Sequence, residues 1–175
     1  MKKSGKIALC GVFSSLAVVI MLTAYFPYAT YAIPAIAGLI FALINVELGY
    51  KWALGAYIST AIITAFLCEK ESAMLFVFFF GYYPIIKGMI EGRMFGFFEK
   101  LLKHIIFTFT MVIAYVIIVK VLLIPLDETG EFGRYFALVL LALGNFVFYV
   151  YDIGLTRVIT LYINKYHTKI QKLFK

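Results

Sequence analysis

Charge is what this sequence has least of. Asp, Glu, Lys and Arg make up 14% of its 175 residues, against about 25% in an average soluble domain. So few charges cannot cover the surface of a water-soluble fold. That excludes a soluble enzyme, a nucleic-acid-binding domain and a disordered tail. Cysteine is equally sparse. Cys10 lies early in the first apolar run and Cys68 at the far end of the third, so the two are expected near opposite membrane faces and form no disulfide framework. The two histidines, His104 and His167, are isolated, and no His or Cys cluster has the spacing of metal ligands. No metal or cofactor is expected. Catalytic signatures are missing too: there is no His-Glu-x-x-His, no Gly-x-Ser-x-Gly and no phosphate-cradling loop. Glu91-Gly92-Arg93 pairs an acid with a base, but too near the interface and too solitary for hydrolysis. The chain does not read as an enzyme.

What is abundant is apolar surface. Hydrophobic residues reach 64% and the mean hydropathy is +0.99. Six membrane-crossing helices of about 20 residues would use roughly 120 positions and leave about 55 for turns and tails. The apolar runs predict spans at 7–25, 32–46, 51–67, 73–90, 105–126 and 135–163. Phe26-Pro27-Tyr28 ends the first, because proline disfavours the helical region for the residue before it. Pro34 falls in the first turn of the second, where its missing N–H costs nothing. Glu47-Leu48-Gly49-Tyr50 separates the second from the third. Ser72 is a natural N-cap for the fourth, and Asp127-Glu128-Thr129-Gly130 closes the fifth after Pro125. Met1-Lys2-Lys3 and the following apolar run resemble a signal peptide but carry no clear cleavage site, so the run reads as a retained span.

The positive charges orient the bundle. With a cytoplasmic N-terminus, all 16 basic residues except Lys70, Lys120 and Arg134 fall on the inner side. Five acids, Glu69, Glu71, Asp127, Glu128 and Glu131, fall outside. This asymmetry predicts an all-α, six-helix, multi-pass protein of the cell membrane with both termini in the cytoplasm. The stretch 92–104 alternates Met94, Phe95, Phe97, Phe98, Leu101 and Leu102 with Arg93, Glu99, Lys100 and Lys103. It reads as a short amphipathic helix in the inner interface, its lysines in the headgroup layer. The basic stretch 162–175 is similar. Either anchors the chain or receives a cytoplasmic partner.

Polar groups inside a membrane are costly and therefore informative. An inner layer holds Glu47, Lys51, Lys87, Glu91, Asp152 and Arg157, three acids against three bases. Ion pairs tying spans two, three, four and six together are one reading, and a proton or ion relay is the other. Nearer the outside, Lys120 stands about four turns into span five. Asn145, Tyr149 and Asp152 share a face of span six. The segment 25–31 forms an uncharged loop rich in tyrosine, Tyr28 included. Separately, Lys120 snorkels, Asn145 bonds another helix and the tyrosines form a belt. Together, a cation, an amide and aromatic rings near one opening make a pocket for an amphipathic small molecule. On span one, Ala8, Gly11 and Ser15 form a strip of small residues beside Cys10 and Ser14. It serves either internal packing or docking of another membrane subunit.

Six spans, a basic N-terminus and a small-residue first helix resemble the S component of energy-coupling factor (ECF) transporters. These are the substrate-capturing subunits that work with a transmembrane T component and two ATPases. The resemblance covers the whole chain. Members commonly carry Ala-x-x-x-Ala on the first helix, where it meets the T component. Here the frame begins at Ala8, position 12 is Val12, and Gly11 and Ser15 supply the small pair one turn along. The resemblance implies docking through Ala8, Gly11 and Ser15. It also implies capture of a vitamin or related metabolite from outside by Tyr28, Tyr82, Lys120, Asn145 and Tyr149. Two other classes fit the composition. One is a membrane scaffold of the MreD type, which binds no solute; the other is a small secondary transporter using the Glu47–Asp152 layer.

Overall fold

The computed structural model describes residues 3–26, 29–93, 96–120 and 133–167, and every regular element among them is helical. Seven α-helices appear: α1 Lys3–Leu22, α2 Ala32–Leu48, α3 Tyr50–Leu67, α4 Lys70–Leu75, α5 Tyr83–Glu91, α6 Phe97–Lys120 and α7 Gly133–Tyr162. Among the described residues, Lys3–Tyr25, Lys70–Glu91 and Leu141–Lys165 are long and apolar enough to cross a membrane. That is compatible with a membrane protein. The chain divides into two compact units, Met1–Met94 with Leu155–Lys175, and Phe95–Gly154.

In the first unit, the helix ends follow local chemistry. A single 3-10 turn, Thr23–Tyr25, tightens the end of α1. Phe26 then adopts an extended conformation with ψ 132°, as its position before Pro27 demands. Pro34 sits buried in the first turn of α2. Only Gly49 separates α2 from α3, and its φ of 90° lies in a region that side-chain-bearing residues avoid. One residue thus reverses the chain, and α1, α2 and α3 pack against one another while α2 also packs against α5. The core runs through Ala17 and Met21 of α1, Ala37, Phe41 and Ile44 of α2, and Ala53 and Ala56 of α3. Phe41, Tyr57 and Phe76 meet at its centre with ring centroids 5.6–6.1 Å apart.

Ser72 does not cap the fourth span. Its helix begins two residues earlier, and Glu69 is the cap, accepting from the amides of Glu71 and Ser72 at 3.0 and 2.8 Å. The Ser72 hydroxyl lies 2.7 Å from Glu69 Oε2 and 3.1 Å from the Thr30 carbonyl, so one proton serves two acceptors. Burial pushes the Glu69 carboxyl up, but the bonds from Ser72 and Glu71 together hold it below the usual range.

The fourth span is broken rather than continuous. After α4 the backbone widens into a π turn, Phe76–Phe80, and a new helix, α5, starts at Tyr83. Pro84 explains the restart: it has no N–H to continue the ladder and its ring clashes with the preceding turn. The π turn frees the Val77 carbonyl, and Tyr57 donates its hydroxyl to it at 2.6 Å. The Tyr57 ring reaches that carbonyl because position 81 is glycine: a Cβ there would lie 2.6 Å from the ring.

The second unit contains α6 and α7 as far as Gly154. Of the stretch 92–104, residues 94 and 95 lie outside the described residues. Gly92 and Arg93 turn at the end of α5, and from Phe97 the helix continues unbroken to Lys120. No proline or glycine interrupts that run, so the amphipathic turns propagate into the apolar span.

Candidate functional site

Several of the expected pocket residues lie along α7. Asn145 donates through Nδ2 to the Leu141 carbonyl at 3.0 Å, one turn back on its own helix. Its Oδ1 accepts from the Thr108 hydroxyl of α6 at 3.3 Å. These bonds use one of the two amide protons and one carbonyl lone pair. One turn further, Tyr149 is 49% exposed and its ring lies 6.4 Å from that of His104. His104 meets Phe148 edge to face at 5.3 Å, and Phe107 stacks on Phe148 at 4.2 Å. The His104 Nδ1 lies 3.0 Å from the Lys100 carbonyl, a bond that requires its proton on Nδ1.

The ladder ends in charge. Lys103 is only 3% exposed. Its Nζ lies 2.6 Å from Glu99 Oε1 and 3.7 Å from Asp152 Oδ2. The expectation that Lys103 reaches into a headgroup layer is therefore overturned: two carboxylates make its burial tolerable. The face Asn145–Tyr149–Asp152 is a seam against α6, so its amide and carboxylate are already engaged by Thr108 and Lys103. Of the two readings of Asn145, the bond to another helix is the one seen.

The other expected pocket residues are placed less fully. Tyr82 is half-buried in the turn before α5, where its carbonyl accepts from the amides of Ile85 and Ile86. Lys120 is the last residue of α6, but its side chain, like the whole of Tyr28, lies outside the described residues. The neighbouring tyrosines of the segment 25–31, Tyr25 and Tyr31, are tied down. Tyr25 donates to the Leu67 carbonyl at 3.1 Å and Tyr31 to Glu71 Oε1 at 2.7 Å. That bond, with the charge of Glu71, holds the Tyr31 hydroxyl above the usual phenol range.

The residues expected in an inner layer make these contacts among others. Lys87 is fully buried and pairs with Glu91 one turn on, at 2.6 Å within α5. Glu47 accepts from the Tyr162 hydroxyl at 2.7 Å, joining the end of α2 to the end of α7. Lys51 is exposed, its Nζ 6.0 Å from the Tyr50 ring, and Arg157 is exposed as well. Lys103 and Tyr162 were not expected in this layer. The i,i+4 spacing of Glu99 and Lys103 carried a signal for the first; nothing local marked the second. No group of three or more His, Cys, Asp or Glu residues able to hold a metal occurs among the described residues.

On α1, Ala8, Gly11 and Ser15 are all exposed, and a Cβ placed on Gly11 would meet no atom within 4 Å. Among the described residues, nothing packs closely over Gly11. No known family, curated protein or solved structure matches the chain.

Proposed function

We propose that the chain is the substrate-capturing subunit, the S component, of an ECF-type importer for a vitamin or related small metabolite. It crosses the cell membrane six times with both termini in the cytoplasm, and it works with a T component and cytoplasmic ATPases. The observation that carries this reading is the exposed strip Ala8–Gly11–Ser15 with open space over Gly11. In lipid, small residues gain most when another backbone comes close. Here no segment among the described residues does so at Gly11, which supports an external helix as the partner. The order and bounds of the helices and the one-sided basic residues support the six-span topology.

Substrate enters from outside, with Lys120 offering a cation for a carboxylate or phosphate. Asn145 contributes the donor and acceptor capacity that Thr108 and Leu141 leave over. The test is ligand-dependent thermal stabilisation of the purified protein across a panel of vitamins and related metabolites. One of them should stabilise the wild type. Lys120→Ala should bind it roughly ten- to a hundredfold more weakly, the usual effect of losing a charged hydrogen bond. Unchanged binding would remove Lys120 from the site, and stabilisation by no metabolite would favour the scaffold.

A further inference from the structure

A furrow of ≈ 490 Å³ runs between α1 and α3, on the side of α1 next to the Ala8–Ser15 strip. Its walls are low because Gly11 and Ser14 face Gly55, Ala56 and Ser59. Small residues normally let helices close up, yet at Gly11 and at Gly55 an added Cβ would meet nothing within 4 Å. Their smallness leaves space instead of removing it. From Lys51 to Ser59 the furrow is about 12 Å long. A helix of that length with its side chains fills roughly 900 Å³, about twice the available volume. An extended hydrocarbon chain is slimmer.

One end of the furrow is cationic. Lys51 lines it, and Lys6 holds its Nζ 5.9 Å from the ring centroid of Trp52, another lining residue. No acid lines the furrow, and neither lysine has a carboxylate partner among the described residues. Two cations and an indole at one end, with an uncharged trough beyond, match the two halves of a phospholipid. Basic pockets between membrane helices recognise anionic headgroups in this way, and tryptophan prefers the depth where headgroup meets chain.

We infer that the α1–α3 furrow is a binding site for an anionic phospholipid of the surrounding bilayer, its phosphate held by Lys6 and Lys51 and an acyl chain lying along Cys10, Ser14, Gly55 and Ser59. The inference rests on the membrane placement proposed above but not on substrate capture. Its position beside the docking strip puts the lipid at the edge of any partner subunit.

Trp52 is the only tryptophan in the chain, so its fluorescence reports on this site alone. The protein is reconstituted into dioleoylphosphatidylcholine vesicles containing brominated phosphatidylglycerol or brominated phosphatidylcholine, and quenching of Trp52 is compared. Brominated phosphatidylglycerol should occupy the site with a roughly ten- to thirtyfold preference, about fivefold for each lysine. The Lys6→Gln/Lys51→Gln variant should lose that preference while quenching by phosphatidylcholine persists. Gly55→Leu, which fills the trough from α3, should reduce quenching by both. Equal quenching by the two lipids in the wild type would overturn the site, as would a preference that survives in the double variant. Shielding of Trp52 from both lipids would show a protein segment in the furrow and overturn it too. Failure of the wild type to float with the vesicles would overturn the membrane placement itself, an outcome distinct from the others.

Discussion

Among α1–α5, the helices meet through aromatic rings and small side chains, with Phe41, Tyr57 and Phe76 at the centre and Ala37, Ala53 and Ala56 around them. Between α6 and α7 the contacts run instead through Thr108–Asn145, His104 with Phe148, and Lys103 with Asp152. Lipid removes most of the hydrophobic attraction between helices and leaves close packing and hydrogen bonding to hold them. Among the described residues, the three-ring cluster of Phe41, Tyr57 and Phe76 belongs to the first unit, and the Thr108–Asn145 and Lys103–Asp152 contacts between two helices to the second. The difference teaches where polar residues in this chain carry structure and where they are left over for function.

The comparison is broken most severely at Lys103. Replacing it with Ala leaves Glu99 and Asp152 without their shared cation, which should cost about 3–5 kcal/mol, read as a large drop in thermal stability in detergent. A small loss would mean that the seam does not depend on its charges. The packed unit has its counterpart in Gly81→Ala, whose Cβ would lie 2.6 Å from the Tyr57 ring and 2.9 Å from the Phe76 carbonyl oxygen. Overpacking of this kind should cost about 1–3 kcal/mol. It should also detach the Tyr57 hydroxyl from Val77, visible as faster hydrogen exchange through the π turn.

A smaller effect is expected at the Glu69 cap, whose loss in Glu69→Ala should cost about 1 kcal/mol. Its pH dependence has a definite sign. Because the folded carboxyl lies below its ordinary value, its stabilising contribution is complete above about pH 4.3 and is lost as the pH falls through the lower folded value. Amide exchange at Glu71 and Ser72 should accelerate in that acid window in the wild type and be insensitive to it in Glu69→Ala. The smallest effect sharpens the comparison: Thr108→Val removes one rung of the seam and should cost about 0.6 kcal/mol, a typical value for an interhelical hydrogen bond in a membrane.

Helix limits were legible because they depend on local chemistry. Phe26 before Pro27, Pro34 in a first turn and Gly49 between two runs act within a few residues of themselves. The break in the fourth span was hidden because Phe76-Val77-Phe78-Phe79-Phe80 is as apolar in a π turn as in an α-helix. Gly81 and Pro84 were the marks it left. The burial of Lys103 depends on Asp152, 49 positions away, and periodicity within one helix says nothing of which helix faces it. The Ala8–Gly11–Ser15 strip was visible as a pattern, but its exposure is a property of how α1 lies on α2 and α3. Asn145 shows a related limit: an amide in an apolar helix looks alike whether it awaits a ligand or bonds a neighbour, as Asn145 does with Thr108.

The central claim is that α1 presents its small residues to a separate membrane subunit. The most direct test is to extract the tagged wild type and Gly11→Leu from native membranes in mild detergent and identify what accompanies each. A T component and ATPases should come with the wild type and be lost from Gly11→Leu, while ligand binding by the isolated variant is retained. A wild type that purifies alone, or a Gly11→Leu variant that keeps the same companions, would contradict it.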